Sequence, residues 1–195
     1  IKENKLINSL KNKHIIADQI ICLDHPWYHK GIIQDQVKKL PKWAVFINRK
    51  IFLKEGLKFK CSKKIFLDRI DSRFNHCQIF DQKRINKWIK KKDLSIYKPE
   101  KLSFKKQIYL FKNASVILGA HGAAFTNIIF CRPGTKIIEI IPKDHPNRKC
   151  ERLSKILKLK HFRIVTKSDN SNKNFPFRIH LEKKHLKMID EAINL

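Results

Sequence analysis

Short apolar runs separated by charged stretches set the rhythm of the chain, and from residue 64 onward they alternate between two periods. Lys64–Leu67 is compact and apolar and reads as a strand that ends in Asp68-Arg69. Ile85, Trp88 and Ile89 then recur at helical spacing, and Ser95–Tyr97 reads as a second strand before Pro99. Ser103 is placed to cap a helix whose apolar face carries Phe104, Ile108 and Phe111, at i, i+4 and i+7. An apolar strand over 114–118 leads into a tight loop over 119–122 and a short helix over 123–130. Pro133-Gly134 turns the chain into an isoleucine-rich strand over 136–141, which Pro142 stops. A helix over 152–159, a strand over 161–165 and a last helix with Met188, Ile189, Ala192 and Ile193 on one stripe complete the pattern.

Strands alternating with helices in this way predict a parallel sheet covered on both faces, an α/β fold of the Rossmann-like, doubly wound kind. Before residue 64 the pattern is weaker. Ile15-Ile16 and residues 19–23 form short apolar runs, followed by Asp24-His25-Pro26-Trp27-Tyr28; residues 44–47 fit a short strand or the start of a helix. The chain therefore divides into 1–63 and a Rossmann-like domain over 64–195.

The chemistry concentrates between the strand at 114–118 and the strand at 136–141. Gly119-Ala-His121-Gly122-Ala123-Ala lies where a strand gives way to a helix, the place at which open α/β sheets bind ligands. Gly119 permits a turn that a side chain would obstruct, and Gly122 lets backbone approach a ligand. The helix that follows offers unpaired N–H groups and a partial positive charge, which suit a diphosphate. His121 is placed to donate to it. The alternative is a glycine turn with a satisfied histidine. Glu139 is the one charge among Ile137, Ile138, Ile140 and Ile141, and a carboxylate on a buried strand needs a partner. It falls 20 residues after Gly119, an offset at which nucleotide-binding folds place an acid on ribose hydroxyls. An ion pair with a nearby Lys or Arg is the competing reading.

Charge changes the picture less than its size suggests. The 195-residue chain holds 44 Lys plus Arg against 17 Asp plus Glu, a formal charge of +27. Such a charge draws polyanions over long range. The basic residues, however, run along the whole chain, and no helix-turn-helix, zinc-finger or RNA-binding signature accompanies them. They read as a background bias that also helps attract a phosphate-bearing ligand. Cys22, Cys61, Cys77, Cys131 and Cys150 are odd in number and form no CxxC pair, which argues against a zinc site or disulfide framework and suits a reducing compartment. With no 18-residue apolar run and no signal-peptide pattern, a cytoplasmic location is expected. Anionic lipids could draw the basic surface to a membrane. The chain opens on Ile1 rather than Met, so a longer parent chain is expected.

The run Ala114-Ser-Val-Ile-Leu-Gly-Ala-His-Gly-Ala-Ala-Phe-Thr-Asn127, then Phe130, Pro133-Gly134-Thr135 and Ile138-Glu139, resembles the signature of glycosyltransferase family 61. That pattern reads as an alanine and valines, G-x-H-G-A, T-N, a phenylalanine, P-G-T and an I-E pair. Glu100-Lys-Leu-Ser-Phe-Lys-Lys-Gln107 with Leu110-Phe111 is similar to the family's upstream helix, and weaker likeness extends from about His14 to Val165. The resemblance implies an inverting, metal-independent transferase of the GT-B type, of which this chain is the C-terminal, donor-binding half plus a remainder in 1–63. The implied ligands are a nucleotide sugar, expected to be UDP-linked, and a glycan acceptor. By matching positions, His121 and Gly122, with Gly119 and Ala123 beside them, would hold the diphosphate. Asn127 would brace the loop or touch the donor, and Glu139 would face the ribose. Arg69 matches the first arginine of the upstream pattern and would neutralise the leaving diphosphate by electrostatic catalysis. The family's second arginine and Asn-Glu pair are absent. Either Arg73 serves out of register, or Cys77 stands for the arginine and Asp81-Gln82 for the pair. Inversion also needs a general base, for which Asp24, His25 and Asp71 are the candidates.

Two other classes of function stay open at this level. One is a basic nucleic-acid-binding protein, although no specific nucleic-acid partner is expected. The other is a degenerate relative that binds nucleotide without turnover.

Overall fold

The computed structural model describes residues 40–53, 59–69, 77–80, 82–145, 148–169 and 177–195. His25, Asp24, Asp71, Arg73 and Asp81 lie outside the described residues. Five parallel strands form the centre: β1 (Lys64–Leu67), β2 (Ser95–Tyr97), β3 (Val116–Ala120), β4 (Lys136–Pro142) and β5 (Lys160–Thr166), in spatial order β2-β1-β3-β4-β5. The three inner strands, β1, β3 and β4, are rich in Ile, Val and Leu, as strands covered on both faces must be. A two-stranded antiparallel ribbon, β6 (Ser168–Asp169) with β7 (Arg178–Ile179), follows.

Among the described residues five α-helices accompany the strands: α1 (Lys42–Phe52), α2 (Gln82–Lys91), α3 (Phe104–Asn113), α4 (Lys149–Leu157) and α5 (Lys183–Asn194). A 3-10 helix, Ala123–Phe130, joins β3 to β4. One sheet face, with Phe66, Leu118, Ile138 and Ile140, packs against Ile85 and Ile89 of α2 and Ile189 and Ile193 of α5. The other, with Ile65, Leu67, Ile117 and Ile137, packs against Phe111 of α3, Leu153 of α4 and Phe125 and Ile128 of the 3-10 helix. The expected α/β doubly wound sheet is therefore present.

Several boundaries differ from the sequence reading. β3 runs on through Gly119 and Ala120, because β1 and β4 pair with it on both sides and Gly119 is registered with Leu67 and Glu139. The loop after it thus begins at His121. Residues 44–47 belong to α1, whose Ala44 and Val45 are buried while Trp43, Phe46, Ile47 and Ile51 are exposed. Helix α4 starts three residues before the expected position and ends where Lys158 turns left-handed, at φ 56°. Ser103 caps α3 as its position predicted, its hydroxyl accepting from Lys106 N–H at 3.4 Å. Met188 stays exposed although Ile189, Ala192 and Ile193 of its stripe are buried.

Candidate functional site

Strand order reverses between β1 and β3: the chain leaves β1 for one edge of the sheet and returns to build outward from β3. The crevice beyond the carboxyl ends of two such strands is where doubly wound sheets take their ligands, because the connections part there to opposite faces. Arg69 follows the end of β1 and His121 follows the end of β3, so the topology sets both at this point. They meet directly: the Arg69 guanidinium donates from Nη1 to the His121 carbonyl.

Gly122 has a structural reason different from the one its sequence position suggests. Its backbone is extended (φ 166°), a conformation open to any residue. A Cβ there would lie 1.0 Å from Nη1 of Arg69, so the missing side chain is the space the guanidinium fills. Gly119 likewise makes room rather than a turn, since a Cβ on it would sit 3.0 Å from Leu67 Cβ and 3.4 Å from the Phe125 ring. Burial depresses the pKa of Arg69, with Cys77 and Glu100 partly offsetting it. Cys77 itself is buried, with a left-handed backbone (φ 54°), and burial pushes its thiol up to about 12.

Behind the loop lies a closed polar cluster. Glu139, on β4, is 2% exposed, and its Oε1 stands 2.5 Å from Nδ1 of His121 while Oε2 stands 3.0 Å from Nε2 of His161 on β5. The Cys150 thiol of α4 lies beside the same carboxylate, within 4.8 Å of it. Burial alone would raise the Glu139 pKa, but the hydrogen bonds from His121 and His161 outweigh it and bring it down to about 2. An ionised carboxylate only accepts. Both imidazole nitrogens facing Glu139 therefore carry protons. Burial and the neighbouring carboxylate push the Cys150 thiol well up, so it stays protonated. One ligand atom each from His121, Glu139 and Cys150 lies within 4.8 Å of the others, a donor set that metals use. In this structure the His121 and Glu139 atoms of that set hydrogen-bond each other directly.

The sequence expectations thus resolve unevenly. Arg69, Gly119, His121, Gly122, Ala123 and Glu139 come together around the ends of β1, β3 and β4. Glu139 pairs with two histidines, not with a Lys or Arg. Asn127 donates from Nδ2 to Gln107 Oε1 of α3 at 2.8 Å, which is the bracing role. Asn127 and Thr126 also line an apolar cavity of about 390 Å³ between α1, the 3-10 helix and α4, with Val45, Phe52, Phe104 and Leu153. None of Arg69, His121, Gly122 or Glu139 lines it. Sequence reasoning missed His161, Cys150 and His145, whose ring lies 4.3 Å from that of His121. The period-2 placement of His161 opposite Ile137, on the face of Glu139, was the available signal.

A family model for glycosyltransferase 61 matches residues 4–138, more than half of the chain. The chain belongs to glycosyltransferase family 61. Three curated plant proteins share shorter stretches with this family 61 chain. Xylan glycosyltransferase MUCI21 of Arabidopsis thaliana is 39% identical over 51 residues, which cover 26% of this chain and 10% of that protein. Beta-1,2-xylosyltransferase RCN11 of Oryza sativa subsp. japonica is 42% identical over 40 residues, 20% of this chain and 8% of that protein. An Arabidopsis thaliana beta-1,2-xylosyltransferase is 50% identical over 40 residues, with the same coverage of 20% and 8%. The shared stretches thus span about a tenth or less of those relatives' length. The family takes its name from glycosyl transfer. His161 and Cys150 lie beyond the residues the family model matches.

Proposed function

We propose that the chain is the donor-binding part of a GT-B type glycosyltransferase that moves a sugar from a nucleotide sugar to a glycan acceptor with inversion, in the synthesis of cell-surface glycan. The observation that carries this reading is the pairing of Arg69 with the His121–Gly122 loop at the point where strand order reverses. Arg69 sets a guanidinium there, packed against the backbone of the His121–Gly122 loop. These groups suit a diphosphate, whose charge grows as the sugar leaves, and a fixed cation stabilises that charge most at the transition state without a metal. His121 and Glu139 hold the loop from behind. The relatives are named for xylan and xylosyl transfer, so UDP-linked pentoses head the donors to be assayed. A cytoplasmic site beside an anionic membrane goes with this reading, the basic surface supplying the attraction.

Isothermal calorimetry with UDP, GDP and CDP at high salt tests it, because salt suppresses the binding of any polyanion to a chain of charge +27. Saturable micromolar binding of one nucleotide, lost in Arg69→Ala, supports the donor site. Equal, weak and salt-sensitive affinity for all three, unchanged in the variant, sinks it.

A further inference from the structure

Glu139 is held on every side by the protein itself. His121 comes from the end of β3, His161 from β5 and Cys150 from α4; the two imidazoles hydrogen-bond one carboxylate oxygen each, and the buried thiol lies within 4.8 Å of the same group. Two buried donors and a thiol packed beside them leave little room for a ligand hydroxyl. The group is therefore built to be fixed, and the histidine it fixes lies in the loop at the crevice. We propose that His161 and Cys150 are positioning residues of the donor site, which clamp the Glu139 carboxylate so that it holds His121 in the Nδ1–H form and presents Nε2 as the remaining ring nitrogen. This rests on the donor-site reading above.

The physical argument is one of alternatives removed. An imidazole has two neutral tautomers, and which nitrogen carries the proton is set by the partner of the other. If Oε2 lost its donor, the carboxylate could rotate about its terminal torsion, whose wells are broad. His121 could then exchange tautomers or swing away. With His161 on Oε2, His121 on Oε1 and the Cys150 thiol packed beside them, that rotation breaks two hydrogen bonds at once. His145 packs against the His121 ring from the segment after β4, which restricts the ring from its other side. At metal sites, hydrogen-bonding partners of this kind orient the ligating histidine, and losing them lowers affinity or activity.

The experiment pairs each disrupting variant with one that keeps a donor: His161→Phe with His161→Gln, and Cys150→Ala with Cys150→Ser. The full chain is labelled with 15N-histidine, the ring nitrogens of His121 are read by NMR, and UDP affinity is measured by calorimetry. Wild type should show a protonated Nδ1 on His121. His161→Phe should give mixed tautomers and weaken UDP binding by about ten-fold, the size of one lost hydrogen bond to a charged group. His161→Gln should return both to near wild type, as should Cys150→Ser against Cys150→Ala. A wild-type His121 protonated on Nε2 alone would overturn the proposal. So would unchanged tautomer and affinity in folded His161→Phe and Cys150→Ala, or stoichiometric zinc bound to the cluster in the purified protein. Should wild type bind no UDP while the tautomer still responds to His161→Phe, the donor-site reading fails and the clamp stands.

Discussion

Replacing Glu139 with glutamine separates the worth of its charge from the worth of its shape. Its carboxyl sits at about 2 in the folded chain against an ordinary 4.5. At about 1.4 kcal/mol for each pH unit, that difference is about 3 kcal/mol of stability, and deep burial leaves little screening to discount. The sign follows from a folded pKa below the unfolded one: the contribution is fully present above pH 4.5 and fades as pH falls toward 2. Somewhat less than half of that is lost between pH 7 and pH 3.5. Glutamine cannot ionise, and it turns an N–H donor toward one of its two histidines. Urea unfolding of wild type and Glu139→Gln at several pH values should therefore show a gap of about 3 kcal/mol at pH 7 that narrows by somewhat less than half at pH 3.5. The comparison with the variant cancels the acid sensitivity that the many basic groups bring. A gap that stays constant with pH would refute the reasoning, since the carboxylate would then be no better stabilised in the folded state than in the unfolded one.

Gly122→Ala should expel the Arg69 guanidinium from the His121 carbonyl, destabilising the fold by about 1.5–3 kcal/mol, the range for a hydrogen bond to a charged group. The double variant with Arg69→Ala should cost no more than Arg69→Ala alone in urea unfolding, and additive costs would show that the two do not share space. In thiol labelling of the native chain at pH 8, Cys77, Cys131 and Cys150 should resist iodoacetamide, since burial raises all three. Cys61, only partly buried, should react before them, and peptide mapping of the labelled protein reports the order.

Local pattern carried a large part of this structure. The isoleucine runs of β4 and the apolar run of β3, the Ser103 cap and the alternation of strand with helix all follow from rules that act within a few residues. They were enough to set Gly119, His121 and Gly122 at a strand end and to single out Glu139 as a charge in a buried strand. The motif shared with family 61 added the class of chemistry. What lay out of reach was pairing in space. Nothing near Gly122 in sequence says that its missing Cβ is filled by Arg69, 53 positions earlier. Likewise, periodicity extends β3 no further than its apolar residues, whereas the ladders with β1 and β4 carry it through Gly119 and Ala120. The partners of Glu139 come from a loop, a strand and a helix that meet only once the sheet is ordered β2-β1-β3-β4-β5. Burial dictates that such a carboxylate must have partners, and this the sequence determined. Which donors supply them depends on register and crossover between distant strands, and only the tertiary structure decided that.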